Sequence, residues 1–478
     1  SFTFIFAQGE FNIWHFGDAA GVDFNSGTPV AISGGQTAQQ EGTATICDAA
    51  GNLLFYTEGT TVWNSNHLIM PNGAGLLGGW SSTQSALIVP QPGSSNIYYV
   101  FTTPTSGSGE ARYSIVDMSL DGGLGDVTIK NVILHNSSTE RLTALRHSNG
   151  TDFWVVIHEN NSNVFMSYLL DDTGLNTPGV ASAIGASHTG GSIATIGYMK
   201  GSPNSQRLAV ALHLAGLLEV FDFDNTTGVV SNLISLPSAG TVYGVEFSPD
   251  NSKLYSTFST NNNLFQHDLD AGNATDIANS QVSIPGNNAN NRAALQLGPD
   301  GKIYVAQYLR NYIGVINFPD STGLACGFVS NAVSLSGQSR LGLPNFVNAL
   351  LPSQIDFDYS AICFSDTTVF TVSSSGTMDS VRWWFGDSAS GSENTSTLLQ
   401  PGHVFTSPGS YLVELIVFSN GNVDTISNTI TIQDAPQVNL GNDTTICPGT
   451  NLLLDATFPG ASYQWQDGSN DAQYTVCL

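Results

Sequence analysis

The sequence predicts an all-β protein built from a repeated unit of about four strands, and three observations carry this prediction. Apolar and polar residues alternate in short runs, which is typical of half-buried strands. One turn sequence returns at a near-constant interval. Charged residues make up only 10% of the chain, against about 25% in an average soluble domain, and Gly, Ser, Thr and Asn take their place. Such a composition is expected of turn-rich β structure.

The repeat is clearest in two segments, VEFSPDNSKLY at 245–255 and LQLGPDGKIY at 295–304. In each, Pro presets a turn and Asp bonds back to the backbone, so each predicts two antiparallel strands joined by that turn. Looser copies precede LLFYT, IYYVFT, FWVVIH and LAVALH, which begin at residues 53, 97, 153 and 208. These six units, about 45 to 55 residues apart between residues 41 and 336, are typical of β-propeller blades.

A seventh blade is predicted from the two ends of this region. The pieces 12–32 and 343–347 are each too short for a blade, but together they are expected to pair and close the ring, which would protect its edges. We therefore predict a seven-bladed β-propeller over residues 8–352, with six or eight blades as the alternatives.

The first residues and the charge predict an exported protein. Residues 1–7 (SFTFIFA) have the character of the end of a signal peptide cleaved after Ala7, with an ordinary first strand as the alternative. The chain carries 12 Lys and Arg against 38 Asp and Glu, a net charge of −26. This balance disfavours nucleic acid and anionic membranes, and no later segment approaches the about 18 apolar residues that span a bilayer. We expect an extracellular or cell-surface protein without membrane insertion.

The five cysteines lack CxxC spacing, which argues against a zinc site. Cys363 and Cys447 could form a disulfide in an oxidising compartment or stay as two thiols. The sequence leaves this choice open.

The repeat of about fifty residues ends at residue 352. Short alternating runs between about 354 and 434 predict a β-sandwich. The order Trp384-Phe385-Gly386-Asp387, then His403 and Phe405, then PGSY at 408–411 resembles the PKD family of Ig-like domains, although Ser388 stands where that family usually has Gly. Residues 435–478 resemble the start of another Ig-like module with too few strands for a core of its own.

The whole arrangement resembles secreted surface proteins of Bacteroidetes that are associated with gliding motility. The phrases that carry the resemblance include WHFG at 14–17, GNLLFYT at 51–57, STQS at 82–85 and GLPNF at 342–346. In those proteins a propeller precedes PKD or Ig-like modules and a sorting domain for type IX secretion, so the resemblance implies export by that route and a role in cell-surface adhesion.

The search for chemistry favours binding over catalysis. His158 and His213 end the strands FWVVI and LAVAL at corresponding points of consecutive blades, so they could converge around the channel, but packing against a backbone partner is the stronger expectation. No HExxH, nucleophile elbow or Asp box is present, and we identify no catalytic residue. Any resident metal stays unknown, although Ca²⁺ could use the acidic turns at 171–172 and 222–224.

Exposed aromatic residues are the best candidates for ligand contact. Trp80 lies in the polar loop GGWSS at 78–82, where an aromatic ring suits a sugar face or a protein hot spot. Trp63, His158 and His213 complete the predicted ligand-binding set. Trp383 and Trp384 must point to opposite faces of one strand, so one is core and the other is partly exposed.

We thus expect a non-enzymatic adhesion protein whose propeller binds an extracellular glycan or surface protein while the tail modules act as spacers. A polysaccharide-active propeller enzyme, a lyase or hydrolase, is the first alternative. A self-associating subunit of a surface filament is the second.

Overall fold

A computed structural model describes residues 9–105, 109–237, 240–258, 263–285, 292–351, 355–360, 362–374, 378–419, 422–434, 438–458 and 461–477. The chain divides into two compact units. The first holds the described residues up to Ile355 together with those of Ser374–Asp379 and Val417–Asp424, and the second holds the described residues of Asp356–Ser373, Ser380–Ile416 and the stretch from Thr425. No helix of the described residues is long and apolar enough to cross a membrane.

The first unit is a β-propeller with seven blades in its described part, which confirms the predicted fold class. Blade 1 has three antiparallel strands, β1 (Ile13–Phe16), β2 (Ala20–Asp23) and β3 (Val30–Ala31). Blade 2 has four, β4 (Ala44–Cys47), β5 (Leu53–Thr57), β6 (Thr61–Asn64) and β7 (Ile69–Ala74).

Blades 3 and 4 share one strand and form a continuous sheet. The sheet contains β8 (Ala86–Pro90), β9 (Ile97–Thr102), β10 (Gly109–Asp117), β11 (Asp126–Arg146), β12 (Phe153–Glu159), β13 (Val164–Asp171), β14 (Gly174–Leu175) and β15 (Val180–Ala183). The first half of β11 pairs with β10 and its second half pairs with β12. This strand is therefore the outer strand of blade 3 and the inner strand of blade 4.

Blades 5 to 7 are four-stranded meanders. Their strands are β16 (Met199–Gly201), β17 (Arg207–Leu212), β18 (Leu217–Asp224) and β19 (Val229–Pro237); β20 (Val242–Phe247), β21 (Lys253–Phe258), β22 (Leu264–Asp268) and β23 (Val282–Ile284); and β24 (Arg292–Leu297), β25 (Ile303–Gln307), β26 (Arg310–Ile316) and β27 (Phe328–Ser339). A short helix α1 (Ala274–Asn279) precedes β23, and short 3₁₀ turns lie at Asp121–Gly123, Ser192–Thr195, Gly323–Cys326 and Asn348–Leu350.

The repeated Pro-Asp turn joins the first and second strands of a blade, as predicted. The Ser248 carbonyl accepts the amide of Asn251 at 3.0 Å, and the Asp250 carboxylate accepts the amide of Ser252 at 2.8 Å. Asn251 and Gly301 follow the two Pro-Asp pairs at φ values of +67° and +72°. Because Asn and Gly tolerate this left-handed conformation, the turns close without strain.

The first strands of the blades surround the axis of the ring. Each touches the next in the order β1, β4, β8, β11, β16, β20 and β24. The core that holds them together is aromatic and aliphatic, with fully buried Trp14, Tyr255 and Tyr304 among its largest side chains.

Residues 341–351 run along this axis, and we call them the axial segment. Its contacts with inner strands are the Ala294 amide to the Leu341 carbonyl, a parallel bridge between Thr43 and Pro344, the Asn345 amide to the Ala86 carbonyl, and the Asn348 amide to the Gly201 carbonyl and Glu246. It begins near the starts of the inner strands and ends near their last residues.

The expected pairing of the two chain ends into one blade is therefore wrong in detail. Residues 13–31 form a three-stranded sheet by themselves, and residues 343–347 lie along the axis. The end of β27 supplies the contact between the ends, because Asp18 and Gln338 form an antiparallel bridge.

The second unit contains a β-sandwich with two sheets. One has β28 (Ile355–Ser360), β29 (Thr368–Ser374) and β32 (Gly402–His403); the other has β30 (Ser380–Trp384), β31 (Thr395–Ser396), β33 (Gly409–Ser419) and β34 (Asn422–Ile432). A 3₁₀ turn spans Ser388–Asn394. Trp383 is fully buried and Trp384 is 54% exposed, as the alternation along their strand predicts.

The Gly-Asp motif organises the turn of the sandwich. The Asp387 carboxylate accepts hydrogen bonds from the Thr406 amide at 2.8 Å, the Thr406 hydroxyl at 2.6 Å and His403 Nε2 at 3.3 Å. Burial alone would raise the pKa of Asp387, but these bonds hold it below its usual value. The Gly-Asp motif therefore has a structural role, because its buried carboxylate holds the segment around Thr406 in place.

After the sandwich, β35 (Asn451–Asp455) and β36 (Gln473–Cys477) pair as a two-stranded ribbon. Alternate residues along both strands are exposed. All five cysteines are free thiols in the structure, so Cys363 and Cys447 form no disulfide in it.

Candidate functional site

Trp80 lies at the end of the ring axis where the inner strands begin, in the loop 75–85 between β7 and β8. We call the loops at this end the Trp80 face. They connect the second strand of a blade to the third, and the last strand of a blade to the first strand of the next, except between blades 3 and 4, which share β11. The Pro-Asp turns lie at the opposite end.

The Trp80 ring is exposed and anchored. Its side chain is 60% accessible, and its Nε1 donates a hydrogen bond of 3.0 Å to the Ala38 carbonyl in the preceding inter-blade loop. The Gly79 amide donates to the Thr103 carbonyl at 3.0 Å, and the Ser82 amide donates to the Gly79 carbonyl at 3.1 Å. The loop thus fixes one edge of the indole and leaves its surface open to solvent.

Gly79 makes this anchoring sterically feasible. A Cβ at this position would lie 2.5 Å from the Thr105 backbone nitrogen, well inside van der Waals contact. Only glycine lets the loop approach the end of β9 so closely.

Two carboxyl groups that sequence reasoning did not select lie beneath this face. Glu41 accepts hydrogen bonds from the Tyr243 hydroxyl at 3.0 Å and from the Ser81 hydroxyl at 3.4 Å. Burial, assisted by the charge of Glu140, raises the pKa of Glu41 to about 8 against those two bonds. Much of Glu41 is therefore protonated at neutral pH.

Glu140 is held by the loop that follows Trp80. Its Oε2 accepts the Thr83 amide at 2.9 Å and the Thr83 hydroxyl at 2.8 Å. Glu41 precedes β4, the inner strand of blade 2, and Glu140 lies within β11, the inner strand of blade 4. Each is almost fully buried. No repeat or motif marks them, because their proximity depends on ring closure.

Arg141 is a second buried group that the sequence did not reveal. Its guanidinium donates to the carbonyls of Thr195 at 2.9 Å and Ala211 at 2.7 Å, among others. Burial lowers the pKa of Arg141 to about 9, although Glu140 and Glu219 favour the charged form. Arg141 thereby ties the inner strand of blade 4 to blade 5.

His158 and His213 each have a backbone partner. His158 Nδ1 lies 2.8 Å from the Glu159 carbonyl, and His213 Nδ1 lies 3.1 Å from the Val242 carbonyl. The His158 ring stacks on His188, with centroids 3.5 Å apart and planes 12° apart. Burial, followed by the charge of Arg141, lowers the pKa of His158 to about 3, so the ring is neutral.

Trp63 is buried rather than exposed. Its side chain is 9% accessible and stacks on Tyr56 with ring centroids 5.3 Å apart. Among the contacts of the described residues, none joins any two of Trp63, Trp80, His158 and His213. The four predicted ligand-binding residues thus do not form one cluster, and their role in binding stays a prediction.

In the acidic turns considered for Ca²⁺, the carboxylates accept hydrogen bonds from amides of the same turn. Asp171 accepts the Thr173 amide at 2.8 Å and Asp224 accepts the Thr226 amide at 2.9 Å. Within the described ranges, no three His, Cys, Asp or Glu side chains are grouped so that they could hold a metal ion.

Comparison with known proteins identifies the sandwich. Residues 354–434 match the family model of the PKD domain, as predicted. The PKD1 domain of the Vibrio cholerae metalloprotease PrtV is 27% identical over 17% of this chain and 93% of that chain, with a TM-score of 0.14. PKD domains are common in secreted and surface proteins of bacteria.

Structural neighbours of the N-terminal part include propeller proteins. Kuenenia stuttgartiensis hydrazine synthase is 12% identical over 65% of this chain and 96% of that chain, with a TM-score of 0.40. Dihydro-heme d1 dehydrogenase NirN is 10% identical over 88% of this chain and 73% of that chain, with a TM-score of 0.41. No curated protein matches the chain, and these likenesses carry no assignment of function.

Proposed function

We propose that this protein is a non-enzymatic binding protein of the bacterial cell surface, and that the Trp80 face of its propeller engages an extracellular glycan or surface protein. The PKD domain and the following Ig-like segment serve as spacers. Export, by the type IX route of Bacteroidetes proteins associated with gliding motility, belongs to the same proposal. A PKD domain in the chain supports export, and the resemblance of the propeller sequence supports the route.

The observation that carries the binding role is the contrast between Trp80 and the acids beneath it. Trp80 presents an anchored ring with 60% of its surface free, which suits contact with a partner. Glu41 and Glu140 are buried and hydrogen-bonded to Tyr243 and Thr83. The axial segment contacts inner strands of several blades along the ring axis.

The test is to incubate the full chain with a panel of polysaccharides and to measure retention and product release in the same wells. Retention without new reducing ends or unsaturated products supports the proposal. Product release contradicts it. His158→Ala and His213→Ala should retain the affinity of the parent, because a binder that uses the Trp80 ring does not need these buried rings.

One observation favours the alternative of a polysaccharide-active enzyme. Glu41 has a pKa of about 8 beside a second carboxyl group, and such pairs serve as general acid and base in glycosidases. If product release is seen, Glu41→Gln should abolish it while retention persists. If Glu41→Gln leaves the release rate unchanged, this acid pair has no catalytic part.

A further inference from the structure

We propose that loops 36–41 and 78–82 form a binding site for an uncharged saccharide, with the Trp80 ring as the stacking platform. This inference rests on the proposed function and narrows its ligand to one chemical class. Three properties of the two loops carry it: the rigidity of the ring, the hydrogen-bonding groups beside it, and the distribution of charge.

Rigidity comes from the contact between the two loops. The bond from Trp80 Nε1 to the Ala38 carbonyl spans from one inter-blade loop to the next. The Gly42 amide adds a second link, since it donates to the Ser82 carbonyl at 3.2 Å. A ring held in this way loses little conformational entropy when a sugar stacks on it.

The two loops supply uncharged side chains with amide or hydroxyl groups, among them Gln36, Gln40 and Ser81. Gln36 is exposed, and Gln40 and Ser81 are half-buried. Gln40 Nε2 donates to the Tyr308 hydroxyl at 3.2 Å, which fixes the direction of its amide. Amide and hydroxyl groups around an aromatic ring match the alternating apolar faces and hydroxyl edges of a pyranose.

Charge excludes an acidic glycan from this site. Neither loop contains Lys or Arg, and the one ionisable side chain in them is Glu41. A sulfate or uronate at this position would find no cation in the two loops, whereas binding such anions uses Arg or Lys, and it would approach a chain with a net charge of −26. An uncharged polysaccharide meets no such penalty.

The experiment measures binding of the full chain to laminarin, xylan and galactomannan as uncharged probes, and to polygalacturonate and chondroitin sulfate as anionic probes. Trp80→Ala is compared with Trp384→Ala, a matched control, because Trp384 is 54% exposed but lies in the second unit. Circular dichroism verifies that both variants keep the parent fold.

We expect at least one uncharged probe to bind, with a loss of about tenfold or more in affinity for Trp80→Ala and no loss for Trp384→Ala. Tighter binding of the anionic probes, still sensitive to Trp80→Ala, overturns this inference and leaves the proposed function standing. Equal losses in both variants, or no binding of any uncharged probe, also overturn it. Product release from any probe overturns the proposed function itself.

Discussion

Lys200→Met should strongly destabilise the propeller, because it leaves a buried carboxylate without the cation that pairs with it. Lys200 Nζ lies 3.3 Å from Glu246 Oε2 and also donates to the Gln296 side chain. Lys200 is 2% exposed and Glu246 is fully buried. Burial raises the pKa of Glu246 and lowers that of Lys200, while each charge favours the ionised form of the other.

The magnitude follows from what the substitution removes. Two hydrogen bonds to a charged group, at about 1.5 to 3 kcal/mol each, give about 3 to 6 kcal/mol. Breaking a buried ion pair by removing one partner costs about 3 to 5 kcal/mol in other proteins, which agrees. The double variant Lys200→Met/Glu246→Gln removes both charges, so it should lose at least about 2 kcal/mol less than the sum of the single variants.

Urea unfolding followed by tryptophan fluorescence provides the measurement, with the parent and the three variants compared at pH 7. Arg382→Met, at an exposed position of the sandwich, is the control and should change stability by less than about 0.5 kcal/mol. If the two single losses simply add in the double variant, Lys200 and Glu246 are not coupled and the reasoning is refuted.

Three further outcomes follow from contacts described above. His158, neutral in the folded protein with a pKa of about 3 against an ordinary 6.5, should make stability fall as the pH drops below about 6.5. The free energy of unfolding falls by about 2 kcal/mol by pH 5 for this reason. His158→Gln lacks the titrating group, so its free energy of unfolding should fall by about 2 kcal/mol less than that of the parent over the same range. Gly79→Ala should cost about 1 to 3 kcal/mol and increase iodide quenching of fluorescence. Gly75→Ala should cost about 1 kcal/mol through its left-handed φ of +79°, but its Cβ meets nothing within 4 Å, so it should leave the quenching unchanged. Asp387→Ala should destabilise the sandwich by about 4.5 kcal/mol, because three hydrogen bonds to a buried carboxylate are lost at about 1.5 kcal/mol each, the lower figure for bonds to a charged group. Asp366→Ala, at an exposed position of the same unit, is the control and should change stability by less than about 0.5 kcal/mol. Sedimentation of the chain at high concentration tests the filament alternative, which a monodisperse monomer would contradict.

The blades and the sandwich could be predicted from the sequence because their signals are local. Pro249 and Asp250 mark a turn by their own backbone preferences, and the alternation around Trp383 and Trp384 assigns one ring to the core. The PKD domain could be predicted for the same reason, since Asp387 accepts hydrogen bonds from Thr406 and His403, which follow it within a short stretch of chain.

The site beneath Trp80 could not be predicted because its parts meet only when the ring is closed. Glu41 and Tyr243 are about two hundred positions apart along the chain, yet their oxygens lie 3.0 Å apart. Trp63 was predicted to contact a ligand, but its ring is buried. Its neighbours in the sequence do not reveal that it stacks on Tyr56. Burial was the missing information in both cases.

The axial segment also determines how the propeller would carry a mechanical load. A pull on residue 351 would load the bonds that Asn345 and Asn348 make to Ala86, Gly201 and Glu246. Because these partners belong to three blades, the bonds would have to break together, rather than one at a time as in an outer strand peeled from its blade. The axial segment is therefore expected to raise the force at which the propeller unfolds from this end.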